Sequence, residues 1–311
     1  MHFKQTLMKY IKSVFTYSAL IFMAGTIFFS CSKDSQTTTN TSNNTTQQTG
    51  PMLVFVFKFD STQARLNNFG LPDVMPTGHS GLSPIFNTMS SHYIELAPNA
   101  LTALGSGDVL YRAPEVGSGP NLAIDFSKCT LAGQGQAFYS CPISSVTPGT
   151  YQWLRVSIAY QNYNIKWSAP GFSLYDQPGT IASFIGFNSY ITSYKIKDST
   201  KIVNGNRAQG YWAFEDPFNV VTGQAPPGAT TVPNPISSTS PIPAGSCVVT
   251  GQFSPSFTVT GSETKNDTIV VSLSTNKSFE WKDANMNGVY EPLNGDTVVN
   301  MGIRGLIPTV K

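Results

Sequence analysis

Charge is scarce in this 311-residue chain. Nineteen basic and 17 acidic residues leave a net +2, and charged side chains make up 12% of the sequence, where about a quarter is usual. No Lys/Arg cluster stands out, so the concentrated basic face that nucleic acid requires is missing and no nucleic-acid partner is expected. Histidine is scarcer still. Beyond the N-terminal region only His79 and His92 occur, and neither sits in a metal-ligand spacing or beside a nucleophile motif. The G-x-S-x-G, H-E-x-x-H and P-loop patterns are all absent, which removes the commonest hydrolase, zinc-protease and nucleotide signatures. Helical periodicity after residue 50 is nearly absent too; residues 98–104 are the best helical stretch, worth one or two turns.

What is present is strand pattern. Leu53, Phe55, Phe57 and Phe59 alternate with Val54, Val56 and Lys58, the period-2 signature of a strand with a buried face. In residues 151–160, Leu154, Val156, Ile158 and Tyr160 fall on one side, opposite Arg155 and Ser157. Further strands are expected over 181–196, 210–214, 247–253, 257–260, 268–273, 278–281 and 297–301. Short strands between Gly, Pro and Asn turns point to an all-β fold, an antiparallel β-sandwich, one large or two packed. Residues 222–246 are uncharged and proline-rich. Proline cannot donate to a central ladder, so this stretch is expected to be a long connection within a 51–311 domain; a linker between two domains is the alternative.

Three features carry candidate chemistry. Cys129 and Cys141 flank a Gly-Gln-Gly centre that reads as a hairpin turn, and a disulfide between them is expected; two buried free thiols, or a bridge from Cys247 to either one, are the alternatives. Asp283, Asn285 and Asn287, followed by Gly288, fit the first half of a D-x-[DN]-x-[DN]-G calcium loop, with Glu291 and Asp296 to complete a structural Ca²⁺ site. The alternative is an Asn-Gly turn braced by the same side chains. Glu215, next to Trp212 and Phe214, is the carboxylate that would suit sugar chemistry; a strand whose aromatics pack in the core is the alternative.

The N-terminus sets location. Lys4, Lys9 and Lys12 precede an uncharged, mostly apolar run over residues 13–29, then Ser30-Cys31-Ser32-Lys33-Asp34. This resembles the signal peptide (1–30) and lipobox of Bacteroidota-type outer-membrane lipoproteins. The resemblance implies cleavage before Cys31, lipidation of Cys31 and attachment to the outer membrane through the lipid anchor. Residues 32–50 lack any aliphatic or aromatic side chain, so no burial can offset their ordering entropy and a disordered tether of about 25 Å is expected. Val146-Thr147-Pro148-Gly149-Thr150-Tyr151 also resembles the Pro-Gly-x-Tyr strand entry of Bacteroidota β-sandwich modules. The expectation is a lipid-anchored protein with a non-catalytic binding or structural role toward a glycan or a surface protein. The alternative is a surface polysaccharide hydrolase.

Overall fold

Strand alternation dominates the architecture. The computed structural model describes residues 50–67, 69–225 and 246–311; the expected signal peptide, Cys31 and nearly all of the tether lie outside them. The first strands are β1 (Met52–Asp60), β2 (His79–Leu82), β3 (Ile85–Ala97), β4 (Asp108–Arg112), β5 (Glu115–Val116) and β6 (Ala123–Asp125). Next come β7 (Ala137–Pro142), β8 (Gly149–Ala169), β9 (Leu174–Phe184), β10 (Asn188–Lys195), β11 (Thr200–Ala208), β12 (Tyr211–Glu215) and β13 (Val220–Gln224). The last are β14 (Cys247–Val259), β15 (Asp267–Ser274), β16 (Phe279–Lys282), β17 (Thr297–Met301) and β18 (Leu306–Val310). The only helices among the described residues are single 3-10 turns.

Two sheets enclose the main core. One has the order β18-β15-β1-β7; the other runs β13-β12-β9-β8-β3-β4, with β14 joined to β8. β8 is long enough to pair with β14 over its first half and with β9 over its second, on the edge opposite β3. Leu53, Phe55 and Phe57 of β1, with Ile269, Val271 and Leu273 of β15, pack against Ile94 and Leu96 of β3 and Leu154, Val156 and Ile158 of β8. Phe57 stacks on Phe138 with centroids 3.7 Å apart. Two smaller sheets, β11-β10-β6-β5 and β17-β16-β2, complete an all-β sandwich. Most pairs are antiparallel; β1 with β15 and β6 with β10 are parallel.

Several expectations shift. Residues 181–196 are not one strand, because the chain turns at Gly186, where a Cβ would press on Ile124 Cδ1 at 2.6 Å and on Ala159 Cα at 3.2 Å. Residues 98–104 form turns, with Asn99 Oδ1 accepting from the Leu101 amide at 2.9 Å, and no helix. The two strands expected over 247–260 are one, β14, broken by a register shift between Gln252 and Phe257. Residues 222–224 of the proline-rich stretch belong to β13, and residues 226–245 lie outside the described residues. After that stretch β14, β15 and β16 pair with β8, β1 and β2. The last third of the chain thus completes sheets begun by the first.

Candidate functional site

The Pro-Gly-x-Tyr entry begins β8 at Gly149, and Tyr151 is buried with its hydroxyl donated to Thr147 O at 2.5 Å. The cysteines correct an expectation. Cys129 and Cys141 are unbridged thiols, and no 129–141 disulfide forms. The segment between Cys129 and Cys141 does not fold back on itself as a hairpin. Ala132 exchanges both backbone hydrogen bonds with Met89 of β3, whereas β7 pairs with β1 and sets Cys141 opposite Leu53. The two ends therefore serve different sheets. Burial pushes the Cys129 thiol up to about 11, so it is inert at neutral pH.

The loop between β16 and β17 holds the five expected calcium ligands, Asp283, Asn285, Asn287, Glu291 and Asp296. Asp283 accepts from Gly288 N at 2.8 Å, Asn287 N at 3.3 Å and Ser80 Oγ at 2.8 Å. Asp296 accepts from Ala284 N at 2.9 Å and Glu291 N at 2.7 Å. Glu291 takes the side-chain amides of Asn285 and Asn294, both at 2.8 Å. Gly288 sits at φ +76°, the left-handed geometry glycine supplies without steric cost. Asp283, Glu291 and Asp296 are buried. Burial pushes Asp283 up, but the donors from Gly288, Ser80 and Asn287 outweigh it and hold the carboxyl below its ordinary range. Asp296 is pushed up, by burial first and then by the charges of Asp283 and Glu291. The loop is closed by its own hydrogen bonds. Among the described residues no three His, Cys, Asp or Glu side chains stand grouped for a shared ion.

Glu215 turns away from its aromatic neighbours. Alternation along β12 sends it to the turn after β10, where its carboxylate accepts from the amides of Lys197 (2.9 Å), Asp198 (3.2 Å) and Ser199 (3.1 Å) and from Ser199 Oγ (3.0 Å). Burial raises its pKa, but these donors win and the group stays ionised below its ordinary range. Phe214 lies on the opposite face, across Gly179 and beside Trp167 at a centroid distance of 6.3 Å. Both carboxylate oxygens of Glu215 are thus used in bracing a turn.

Two buried polar clusters were not foreseen from sequence. His92, at a register shift in β3, points Nε2 at Glu115 Oε1 (2.9 Å), which also takes Arg112 Nη2 (3.0 Å). Arg65, His79, Asp73, Glu280 and Arg304 form the other cluster. Glu280 meets Arg65 Nη2 at 2.6 Å and His79 Nδ1 at 2.5 Å, and Arg304 pairs with Asp73. Its members are scattered between residues 65 and 304, so no local motif could reveal it.

This second cluster anchors a loop that walls an open cleft. Arg304 Nε donates to Leu66 O at 3.2 Å, and Asp73 N donates to Arg65 O at 2.8 Å. Within the loop Asn67 Oδ1 accepts from the amides of Phe69 (2.9 Å) and Leu71 (3.1 Å), and Asn67 N donates to Leu71 O at 2.7 Å. Gly70, at φ +71°, has Leu306 O 2.7 Å from where a Cβ would sit, so only glycine lets the loop lie this close to β18. Phe69 and Leu71 are thereby held outward, 62% and 56% exposed. With Trp153, Gln252, Ser254 and Ile307 they line a cavity of about 290 Å³. Among the described residues no charged side chain lines it. Against protein-family models, curated proteins and solved structures, nothing matches this chain.

Proposed function

We propose that this protein is a lipid-anchored, extracytoplasmic component of the outer membrane, tethered through Cys31, whose β-sandwich has a non-catalytic binding role. The order of basic residues, apolar run and Ser30-Cys31, followed by a tether without apolar side chains, carries the reading. Two or more acyl chains on one residue give stable attachment, where a single chain binds only marginally. The cleft's placement supports display. The chain enters β1 at Met52, whereas Leu306 of the cleft pairs with Leu273, which pairs with Phe59 near the far end of β1. Seven residue steps at about 3.3 Å put the cleft about 23 Å along the sheet from the point of entry.

The competing reading, a surface polysaccharide hydrolase, loses its first carboxylate, because Glu215 braces a turn and, among the described residues, no acid lines the cleft. The calcium loop belongs to the same proposal as a structural element. Three buried carboxylates share it, and among the described residues no Lys, Arg or His pairs with any of them.

Cell fractionation tests the anchor. Wild-type protein is expected in the membrane fraction and Cys31→Ser in the soluble fraction. Fatty-acid labelling is expected on the wild type and lost in Cys31→Ser, and continued labelling of Cys31→Ser would refute lipid attachment at this residue.

A further inference from the structure

We infer that the cleft between the 69–71 loop, the β14 register shift and β18 binds one uncharged pyranose ring of a polysaccharide, stacked on Phe69 and Trp153. The inference rests on the reading of the protein as a surface binding module and gives that module its site and ligand class.

The apolar side chains at this cleft are held out by a built loop. Asn67 accepts the amides of Phe69 and Leu71 on its side-chain oxygen, its own N–H donates to Leu71 O and its carbonyl accepts from Gly70 N, and Gly70 brings the loop onto β18. The buried Arg65–Glu280 pair and the half-buried pairs of Arg65 and Arg304 with Asp73 then hold its two ends. A phenyl ring exposed by so many specific contacts is preorganised, which lowers the ordering cost of binding. Contiguous exposed apolar surface rimmed by polar groups marks an interaction site.

The lining selects the ligand. The C–H faces of a pyranose ring pack on aromatic faces, while its hydroxyls need neutral donors and acceptors at the edge. The cleft offers the phenyl of Phe69 and the indole of Trp153, with the Gln252 amide and the Ser254 hydroxyl beside them. Among the described lining residues an anionic sugar would find no Lys or Arg, and a cationic ligand no carboxylate. Size argues in the same direction. A volume of about 290 Å³ lies at the lower edge of small-ligand sites, whereas a stable protein partner needs about 800 Å² of surface on each side. With no acid among the described lining residues, the site holds the ring without a carboxylate pair to cleave it.

Affinity electrophoresis of the full chain tests this, in gels containing a β-glucan, a mannan, a galactan, a xylan or, as the charged control, alginate. At least one neutral polymer is expected to retard the wild type. Phe69→Ala, at an exposed position where truncation leaves the core intact, and Gln252→Ala are each expected to weaken that binding about ten-fold, equivalent to about 1.4 kcal/mol. Trp153→Ala is expected to abolish it. Failure of all four neutral polymers, retardation by alginate alone, or unchanged retardation of Phe69→Ala would overturn the inference. Capture of a Leu/Phe-rich peptide in place of the sugars would overturn it in favour of a protein partner. Fatty-acid labelling of Cys31 in the same preparations separates failure of the ligand from failure of the anchor.

Discussion

Arg65 and Glu280 stand 215 residues apart in the chain and meet in a buried ion pair, Nη2 to Oε2, at 2.6 Å. The pair ties the start of the cleft loop to β16. Burial pushes the Glu280 carboxyl up, but His79, Arg65 and Arg304 outweigh it and keep the group ionised below its ordinary range. Removing one partner of such a pair strands the other charge away from water, which is why breaking a buried pair costs more than the pair itself contributes.

Glu280→Ala is accordingly expected to lower stability by about 3–5 kcal/mol, read as a lower midpoint in urea denaturation. The loss should exceed that of Lys58→Ala, whose partly exposed pair with Asp60 belongs to a class worth about 0–1 kcal/mol. Equal effects of the two substitutions would contradict the anchoring role.

His92 makes stability depend on pH in a defined direction. Burial pushes it below its ordinary 6.5, and the hydrogen bond to Glu115 offsets this only in part. Glu115 accepts from Nε2–H, so Nδ1 carries the lone pair; it is buried and has no partner. The unfolded chain therefore takes up the proton more readily than the folded one. The stability from neutral His92 is present above about pH 6.5 and is lost as pH falls through the lower folded value. Carboxylates titrate mostly below about pH 4.5, so histidines dominate the interval from pH 7.5 to 5, and the comparison with His92→Gln separates His92 from His79. The urea midpoint of wild type should fall over that interval, and that of His92→Gln should fall less. Equal slopes would show that His92 stays hydrated or charged in the fold.

Much of the sandwich was legible because its strands alternate cleanly. Leu53, Phe55 and Phe57 declared β1, and Val271 and Leu273 declared β15. β3 escaped notice for a physical reason. Ser90, Ser91, His92 and Glu95 are buried within it and paired or packed there, so a strand buried on both faces reads as a mixed polar segment. The hairpin expected between Cys129 and Cys141 failed because turn chemistry does not say which strand comes next. The cleft was illegible. Phe69, Trp153, Gln252 and Ile307 come together only through the β8–β14 pairing and the close approach of Gly70 to Leu306. Glu215 was a partial exception, since the same alternation that placed Phe214 on one face placed its neighbour on the other.

Calcium is expected to stabilise the fold through the loop from Asp283 to Asp296. A cation there would relieve the like charges that help push Asp296 up. Extracellular sites of this type have dissociation constants of about 0.1–1 mM. At about 2 mM calcium, a site of about 0.1 mM contributes about 1.8 kcal/mol, a melting shift of about 3–7 °C for a domain of this size. Wild type should melt higher in calcium than in EGTA, and Asp283→Ala should melt alike in both. Identical wild-type melts would leave an ion-free turn held by the hydrogen bonds already present.

Attachment through Cys31 is read out by the mass of the mature N-terminal peptide. The expected mature chain begins at Cys31 and carries a diacylglyceryl group on its sulfur, followed by Ser32-Lys33-Asp34. A mature chain that retains residues 1–30, or one that begins elsewhere with an unmodified Cys31, would contradict it.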